Sequence, residues 1–178
     1  PSGVIADYVY AHGPDGNISQ ITEASGRVVV YGYDAQSRLT SEASTIAGLT
    51  TTTIFTFDGA LNRLTRKTTR ADGSIEQLTY VTDANDRMTA ELIQDNSATA
   101  PAASYAILYA YDKAGNRLAR VGPEGSVLCS FDSLGRLTSA TVATTATNTQ
   151  VQFSYDHFGH RVKTVRDGDV TNHLVDGN

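Results

Sequence analysis

Acidic and basic side chains recur together along this chain, with a spacing regular enough to raise the question of catalysis. Six Asp residues stand at intervals of 20 to 29 residues, and each is followed by an Arg four or five positions later. Paired carboxylates can serve as general acid and base when a shared cleft shifts their pKa values. An Asp that recurs in one local pattern is more simply a turn-former, because its carboxylate accepts backbone N–H bonds. The turn interpretation is favoured, and no catalytic residue is predicted.

Metal binding has two candidate locations. His157 and His160 flank a turn beside Asp156, but a structural zinc site usually needs four ligands. The Asp-Gly-rich segments 15–17, 167–169 and 176–178 resemble pieces of calcium loops and lack the other ligands of such a loop. Hairpin turns explain them, with weak surface calcium left open as an alternative. No metal and no cofactor are predicted.

Nucleophilic chemistry has a weak basis in this sequence. Cys129 is the single cysteine, so an internal disulfide is impossible, and it alternates with Phe131 on what should be the same side of a strand. A small buried hydrophobic residue with an inert thiol is therefore expected. The Gly-x-Ser-x-Gly elbow and the phosphate-loop and dinucleotide fingerprints are missing from the sequence.

Composition excludes further classes. The chain has 178 residues and a formal net charge of -5, which argues against nucleic-acid binding and binding to anionic membranes. No apolar run approaches the length of a membrane span, so no membrane insertion is expected. Thr, Tyr and Gly are abundant and Trp is missing, a balance that favours strands and turns. The chain begins Pro1-Ser2-Gly3, and we expect a fragment of a larger protein.

The Asp–Arg pairs belong to an internal repeat. Its pattern is aromatic, any residue, aromatic, Asp, two variable residues, a turn residue, an optional Asn, then Arg, Leu and Thr. Asp and Arg are four or five apart in strict alternation, so the larger unit is a pair of repeats of about 49 residues. The motif residues are Tyr31, Tyr33, Asp34, Arg38, Phe55, Phe57, Asp58, Arg63, Tyr80, Asp83, Arg87, Tyr109, Tyr111, Asp112, Gly115, Arg117, Phe131, Asp132, Gly135, Arg136, Phe153, Tyr155, Asp156, Gly159 and Arg161.

The elements that position these residues follow from the pattern. The two aromatics share one strand face, Asp ends the strand, and Arg and Leu begin the return strand. Arg is expected either to pair with the Asp or to lie over an aromatic ring. The third residue after Asp should adopt a positive φ, which Gly115 accepts readily and Leu61 does not, so the Leu61 turn is expected to differ.

The whole chain is thereby predicted to be one segment, residues 1–178, of about seven repeats in a continuous antiparallel meander without helices. Asp-Gly and related turns link the repeats. Residues 95–104 and 141–149 are predicted to be looser linkers, and residues 44–53 a Thr-rich strand extension. A degenerate copy near Tyr8 and Tyr10 is expected to contain an insertion before Asp15.

The pattern resembles the YD repeat of the RHS family. Residues 109–118 read Tyr-Ala-Tyr-Asp-Lys-Ala-Gly-Asn-Arg-Leu, close to a consensus copy, and the resemblance runs from about Tyr8 to Val175. Residues 173–178 resemble the sequence just before that family's core region. The family includes bacterial polymorphic toxins, shell-forming subunits of insecticidal toxin complexes, and teneurins.

The resemblance implies an all-β ribbon that spirals into a shell, which encloses or presents a toxin or effector domain. The family's self-cleaving aspartate site has no counterpart here, so no cleavage residues are carried over. The implied partner is the remainder of the parent chain, in a secreted or cell-surface bacterial protein.

Two other functions stay open. The aromatic pairs could form a surface for a carbohydrate or a cell-surface receptor, since exposed rings stack on sugars and large apolar patches mark interfaces. Alternatively, unpaired sheet edges could join copies into a homo-oligomer or filament. An enzyme is the least favoured class.

Overall fold

The computed structural model describes residues 7–97 and 103–174. Within these ranges the chain forms fifteen β-strands and no helix, which confirms the all-β prediction. The strands are β1 Tyr8–His12, β2 Ile18–Glu23, β3 Val28–Tyr33, β4 Leu39–Ile46, β5 Leu49–Phe57, β6 Arg63–Thr69, β7 Ile75–Thr82, β8 Met88–Asp95, β9 Ala103–Tyr111, β10 Arg117–Gly122, β11 Gly125–Phe131, β12 Leu137–Ala143, β13 Asn148–Tyr155, β14 Arg161–Arg166 and β15 Asp169–Asn172.

The strand order in the sheet is the order of the chain. Each strand is hydrogen-bonded to the next, from β1 to β15, and every pair with a defined register is antiparallel. This is the predicted meander. It follows from the sequence, because turn residues punctuate the chain at both ends of every strand pair.

The chain divides into two compact units. The first unit is Pro1–Arg87 with Glu91–Ser104, and the second is Met88–Ala90 with Tyr105–Asn178. Each contains copies of the repeat in both spacings. Because both units are built from the same repeat, corresponding positions in the two units can be compared.

Each unit has two different sheet faces. On β13, Phe153 and Tyr155 are half-buried whereas Gln152 and Ser154, which point to the other side, are exposed. The same alternation holds on β9 and β11. We call the side that carries the aromatic pairs the aromatic face.

Very few side chains are fully buried. Among the described residues the buried apolar side chains are Val29, Leu78 and Ile93. A single sheet layer has no second layer to pack against, so nearly all side chains in the described residues are half-buried or exposed. Cohesion must therefore come from backbone pairing and from contacts along the sheet.

The predicted linkers need correction. Residues 141–149 are mostly strand, because β12 runs to Ala143 and β13 starts at Asn148, and the turn between them is closed by a hydrogen bond from the Thr144 N–H to the Thr147 carbonyl at 2.8 Å. Residues 44–53 are not one extended strand, since a tight turn at Ala47 and Gly48 separates β4 from β5. Both turn residues have positive φ, as two-residue hairpins require.

The remaining linker, residues 95–104, lies partly outside the described residues, as do the segments 1–6 and 175–178. The end of β8 and the start of β9 bracket that linker. Nothing in the described part of the chain forms a helix that is long and apolar enough to cross a membrane.

Candidate functional site: the turn edge of the repeats

Six hairpin turns of one design lie at the ends of the strands that carry the aromatic pairs. We call them the turn edge; they begin at Asp34, Asp58, Asp83, Asp112, Asp132 and Asp156. In each, the Asp backbone N–H donates to the carbonyl four residues on, at 2.9 to 3.0 Å. The Asp Oδ1 accepts the backbone N–H of that same residue, at 2.8 to 3.1 Å. One carboxylate oxygen thus closes the loop.

The carboxylates of the turn edge are held in the charged form. The backbone N–H of Arg136 donates to Asp132 and lowers the pKa of that carboxyl, although partial desolvation opposes it. For Asp58, desolvation raises the pKa but the bonds from Asn62 outweigh it, and the pKa is again lowered. The pKa of all six is lowered. A proton-transfer residue at neutral pH would need the opposite shift, so these groups are suited to accepting hydrogen bonds.

The third residue after the Asp has a positive φ in every turn. Gly115 has φ 91° and Gly135 has φ 75°. Leu61, whose turn was expected to differ, has φ 74°, and its turn keeps the hydrogen bonds of the others. The expectation was wrong because the Asp58 carboxylate and the strand register dictate the turn more strongly than the side chain at this position.

The two spacings have the same loop length. In both, the residue before the Asp pairs with the residue five after it, as in Tyr33 with Leu39 and Phe57 with Arg63. The optional Asn is therefore not an extra turn residue. It replaces Arg at the fourth position, and Arg replaces Leu at the fifth. We call the two forms four-spaced and five-spaced repeats.

In four-spaced repeats the arginine ties one repeat to the next. The Nε of Arg136 donates to the Asp132 Oδ2 at 2.7 Å, and its NH1 donates to the Asp156 carbonyl of the following repeat at 3.2 Å. Its guanidinium lies 4.9 Å from the Tyr155 ring centroid. Arg38 makes the same three contacts in the first unit, with Asp34, Asp58 and Phe57.

In two of the five-spaced repeats an amide takes over the bond to the carboxylate, and in the third the His160 imidazole does so. The Asn62 side chain donates to Asp58 at 3.2 Å and also to Asp86, in the next turn, at 2.7 Å. Asn116 donates to Asp112 at 2.9 Å. The contacts between neighbouring turns thus include a guanidinium at Arg38 and Arg136 and an amide at Asn62.

The arginine of a five-spaced repeat lies over a ring of its own repeat. Arg63 lies 4.7 Å from the Phe55 centroid, and Arg161 lies 4.3 Å from that of Phe153. The corresponding contact of Arg117 with Tyr109 is longer, at 6.0 Å. Both contacts expected of the repeat arginines thus occur: four-spaced arginines bond the Asp and also lie over a ring, whereas these five-spaced arginines lie over a ring.

This division explains where the aromatic pattern weakens. All rings named above as lying under a guanidinium belong to five-spaced repeats, and each of those repeats has both aromatics. Four-spaced repeats have lost one twice, at Thr82 and Cys129. Cys129 is half-buried and reduced, opposite Ala140. A smaller side chain at Thr82 or Cys129 therefore removes no ring on which one of these arginines stacks.

Tyrosine hydroxyls add further ties between repeats. Tyr155 donates to the Leu137 carbonyl at 2.8 Å, and Tyr111 donates to the Met88 carbonyl at 3.0 Å. Tyr33 makes the same bond to Ile18 at 3.0 Å. In each case the acceptor is the first residue of the preceding return strand, so these rings bridge neighbouring hairpins.

The degenerate first copy contains no insertion. His12 pairs with Ile18 as Tyr33 pairs with Leu39, which places Gly13 where the other turns have Asp. Asp15 supplies the missing carboxylate from within the loop and bonds both the backbone and the side chain of Asn17. If Asp15 is matched to the Asp of the motif, the copy requires extra residues, because Asp15 lies two positions after Gly13, which takes the place of that Asp.

The metal candidates form local turn contacts. His160 Nδ1 lies 3.1 Å from Asp156 Oδ2, and Asp167 accepts the Gln150 N–H at 2.7 Å. In residues 7–97 and 103–174, no three His, Cys, Asp or Glu side chains cluster closely enough to hold a metal ion. The segment 176–178 lies outside the described residues.

One charged cluster was missed at the sequence level. Arg66 binds Glu76, Glu76 lies 3.4 Å from Arg70, and Arg70 lies 3.1 Å from Asp95. Its bonded pairs are 6 to 25 residues apart in the chain and belong to no repeat motif, so only the register brings them together. The available signal was an Arg eight residues after the Asp in two five-spaced repeats, Arg66 and Arg120.

Comparison with known proteins agrees with this geometry. The family model for the RHS repeat matches residues 14–50 and 130–170. These two segments are RHS repeats. This confirms the family resemblance, and the matched segments include turns of both spacings. The curated proteins gave no match.

Solved structures share the fold. A crystal structure of TcdB2-TccC3-Cdc42 superposes with a TM-score of 0.72 and 16% identity over 91% of this chain. Structures of TcdB2-TccC3-TEV and TcdB2-TccC3 give a TM-score of 0.70 at 17% identity, over 91% and 94% of this chain. This chain spans only 9 to 10% of the length of those chains.

Proposed function

We propose that this chain is a non-catalytic structural segment, part of the wall of an RHS-type β shell that encloses or presents a toxin or effector domain. The observation that carries the proposal is the turn edge. Neighbouring repeats are bonded sideways through guanidinium, amide and phenol groups, as at Arg136, Asn62 and Tyr155. Such ties give a single sheet layer lateral cohesion without a core.

A wall has physical requirements that this arrangement satisfies. It must be thin, extendable and resistant to separation of its strands. Repeats that contact only their neighbours can be added without redesign, because stability is the sum of repeat and interface terms. The implied partner is then the remainder of the parent chain, and the implied setting is a secreted bacterial toxin component.

The same contacts argue against a sugar-binding surface. Stacking on a sugar needs a free ring face, and guanidinium groups cover faces of Phe55, Phe57, Phe153 and Tyr155. A receptor- or carbohydrate-binding module would have to use other residues. A glycan array with the chain separates the two functions, since selective glycan binding would support the module over a passive wall.

Protease protection tests the proposal in the parent protein. The domain that accompanies the repeats should resist proteolysis in the intact protein and become cleavable when Arg136→Met and Arg38→Met loosen the turn edge. A matched control is Arg161→Met, which removes a ring contact within one repeat only. Equal cleavage of the accompanying domain in the wild-type protein and as a free domain would contradict enclosure.

Self-assembly through a sheet edge is the second candidate. The first strand, Tyr8–His12, is exposed along its length, and its outer edge lies at one end of the strand order. It contains neither Lys nor Pro, residues that commonly protect such edges. Sedimentation velocity at several concentrations would support this function through concentration-dependent oligomers, and a constant monomer would contradict it.

A further inference from the structure

The charged cluster of the first unit has an open counterpart in the second unit. Arg66 lies opposite Phe55 and Leu78 on the neighbouring strands. Arg120 lies in the corresponding place, opposite Tyr109 and Val127. Both arginines stand eight residues after the Asp of a five-spaced repeat. The two sites therefore share backbone register and differ only in their surroundings.

The acidic residues of the first unit have no equivalents in the second. In the first unit, Thr68 stands two residues after Arg66 and pairs with Glu76 on the next strand. In the second unit, Gly122 stands two residues after Arg120 and pairs with Gly125. The position of Glu76 is thus taken by Gly125. The following strand ends at Asp95 in the first unit, and in the second unit Thr144 follows its end.

The missing side chains leave a concavity beside Arg120. It has a volume of about 220 Å³, and its lining includes Arg120, Glu124, Val127, Val142 and Thr144. Arg120 is half-buried and has no hydrogen-bond or ion-pair partner within residues 7–97 and 103–174, whereas Arg66 is held by Glu76. The Arg120 guanidinium is therefore available to an external acceptor in the concavity.

The chain cannot fill the concavity from Gly125. Gly125 has φ 134°, and a Cβ at this position would collide with the Ala143 carbonyl oxygen. Any side chain is therefore excluded at the position that Glu76 occupies in the first unit. Thr144 has a shorter side chain than Asp95, and its hydroxyl accepts the N–H groups of Ala146 and Thr147.

We propose that this concavity binds a carboxylate group, which takes the place of Glu76 against the Arg120 guanidinium. Guanidinium and carboxylate are matched in planar geometry and charge, and the first unit shows that pairing at the same register position. The occupant is an acidic side chain of another polypeptide segment or a small free carboxylate. Glu124 lies on the rim and weakens binding by repulsion.

Nuclear magnetic resonance titration of the full chain tests the site. Sodium acetate is added at constant ionic strength, with sodium chloride as the reference salt. The Arg120 Nε–H signal and the Gly125 and Thr144 amide signals should shift in a saturable manner, at tens of millimolar acetate. The Arg66 Nε–H signal is the internal control and should not move, because Glu76 already binds that guanidinium.

Two variants sharpen the result. Arg120→Gln should abolish the shifts at Gly125 and Thr144, and Glu124→Gln should tighten binding by about twofold, since a repelling charge is removed near the surface. Equal shifts with acetate and chloride, or shifts that persist in Arg120→Gln, would overturn the proposal. A short Glu-containing peptide that binds at least tenfold tighter than acetate identifies a polypeptide source, and equal affinity identifies a small carboxylate.

Discussion

The tie between neighbouring repeats at Arg136 gives the most informative prediction. Arg136→Met keeps the length and apolar stem of the side chain and removes its charge and donors. The variant loses the 3.2 Å bond to the Asp156 carbonyl, for which about 0.5–1.5 kcal/mol is typical, and the contact with the Tyr155 ring, for which about 0.5–1 kcal/mol is typical. The free energy of unfolding should fall by about 1–2.5 kcal/mol, before any contribution from Asp132.

Urea unfolding at pH 7, followed by far-ultraviolet circular dichroism, measures this change. A double-mutant cycle with Tyr155→Leu isolates the ring contact, and the coupling energy between the two positions should be about 0.5–1 kcal/mol. The matched control is a cycle between Arg136 and Phe153, a ring that lies under Arg161 instead. Additive effects of Arg136→Met and Tyr155→Leu would refute the contribution of the ring contact to the inter-repeat tie.

Three further predictions address the turns, the tyrosine bridges and the effect of pH. Gly115→Ala should lower the free energy of unfolding by about 1 kcal/mol, because φ at this position is 91°. Gly59→Ala is the control and should be nearly neutral, since neither site has atoms near an added Cβ and only Gly115 has a positive φ. Thermal unfolding compares the two variants, and equal effects would contradict the strain argument. Tyr155→Phe should lower the free energy of unfolding by about 0.5–1.5 kcal/mol, because it loses the bond from the Tyr155 hydroxyl to the Leu137 carbonyl. Urea unfolding measures this change, with Tyr31→Phe as a neutral control. A Tyr155→Phe variant as stable as wild type would argue against the bridge. Since bonding from Arg136 lowers the pKa of Asp132, its stabilisation is present above the ordinary carboxyl pKa of about 4 and is lost as pH falls below it. Unfolding midpoints at pH 7 and pH 3 should therefore differ less in Asp132→Asn than in wild type, and an unchanged difference would count against this role.

Much of the fold follows from local sequence signals. Aromatic residues at alternate positions place a strand and its packed side, and Asp followed by Gly marks where it turns. The hairpin at Ala47 and Gly48 was missed because Ala at positive φ is uncommon, and the Thr-rich flanks are typical of an uninterrupted strand.

The turn edge was only partly predictable. The alternation of spacings is visible in the sequence, but its meaning depends on register: the same loop length holds Arg38 at the fourth position and Arg63 at the fifth. From spacing alone, Asn62 looks like an insertion rather than a replacement for arginine. The Arg66–Glu76 pair depends on strand pairing across ten residues, and the position of Arg66 in its repeat does not indicate its partner.

Hydrogen exchange of Arg136→Met tests the central claim most directly, namely that cohesion passes from repeat to repeat along the turn edge. Amide protection should fall in both hairpins that Arg136 joins, β11–β12 and β13–β14, and stay unchanged around Asp34 in the first unit. A loss of protection confined to the β11–β12 turn would contradict the claim, because each hairpin would then be stabilised by itself.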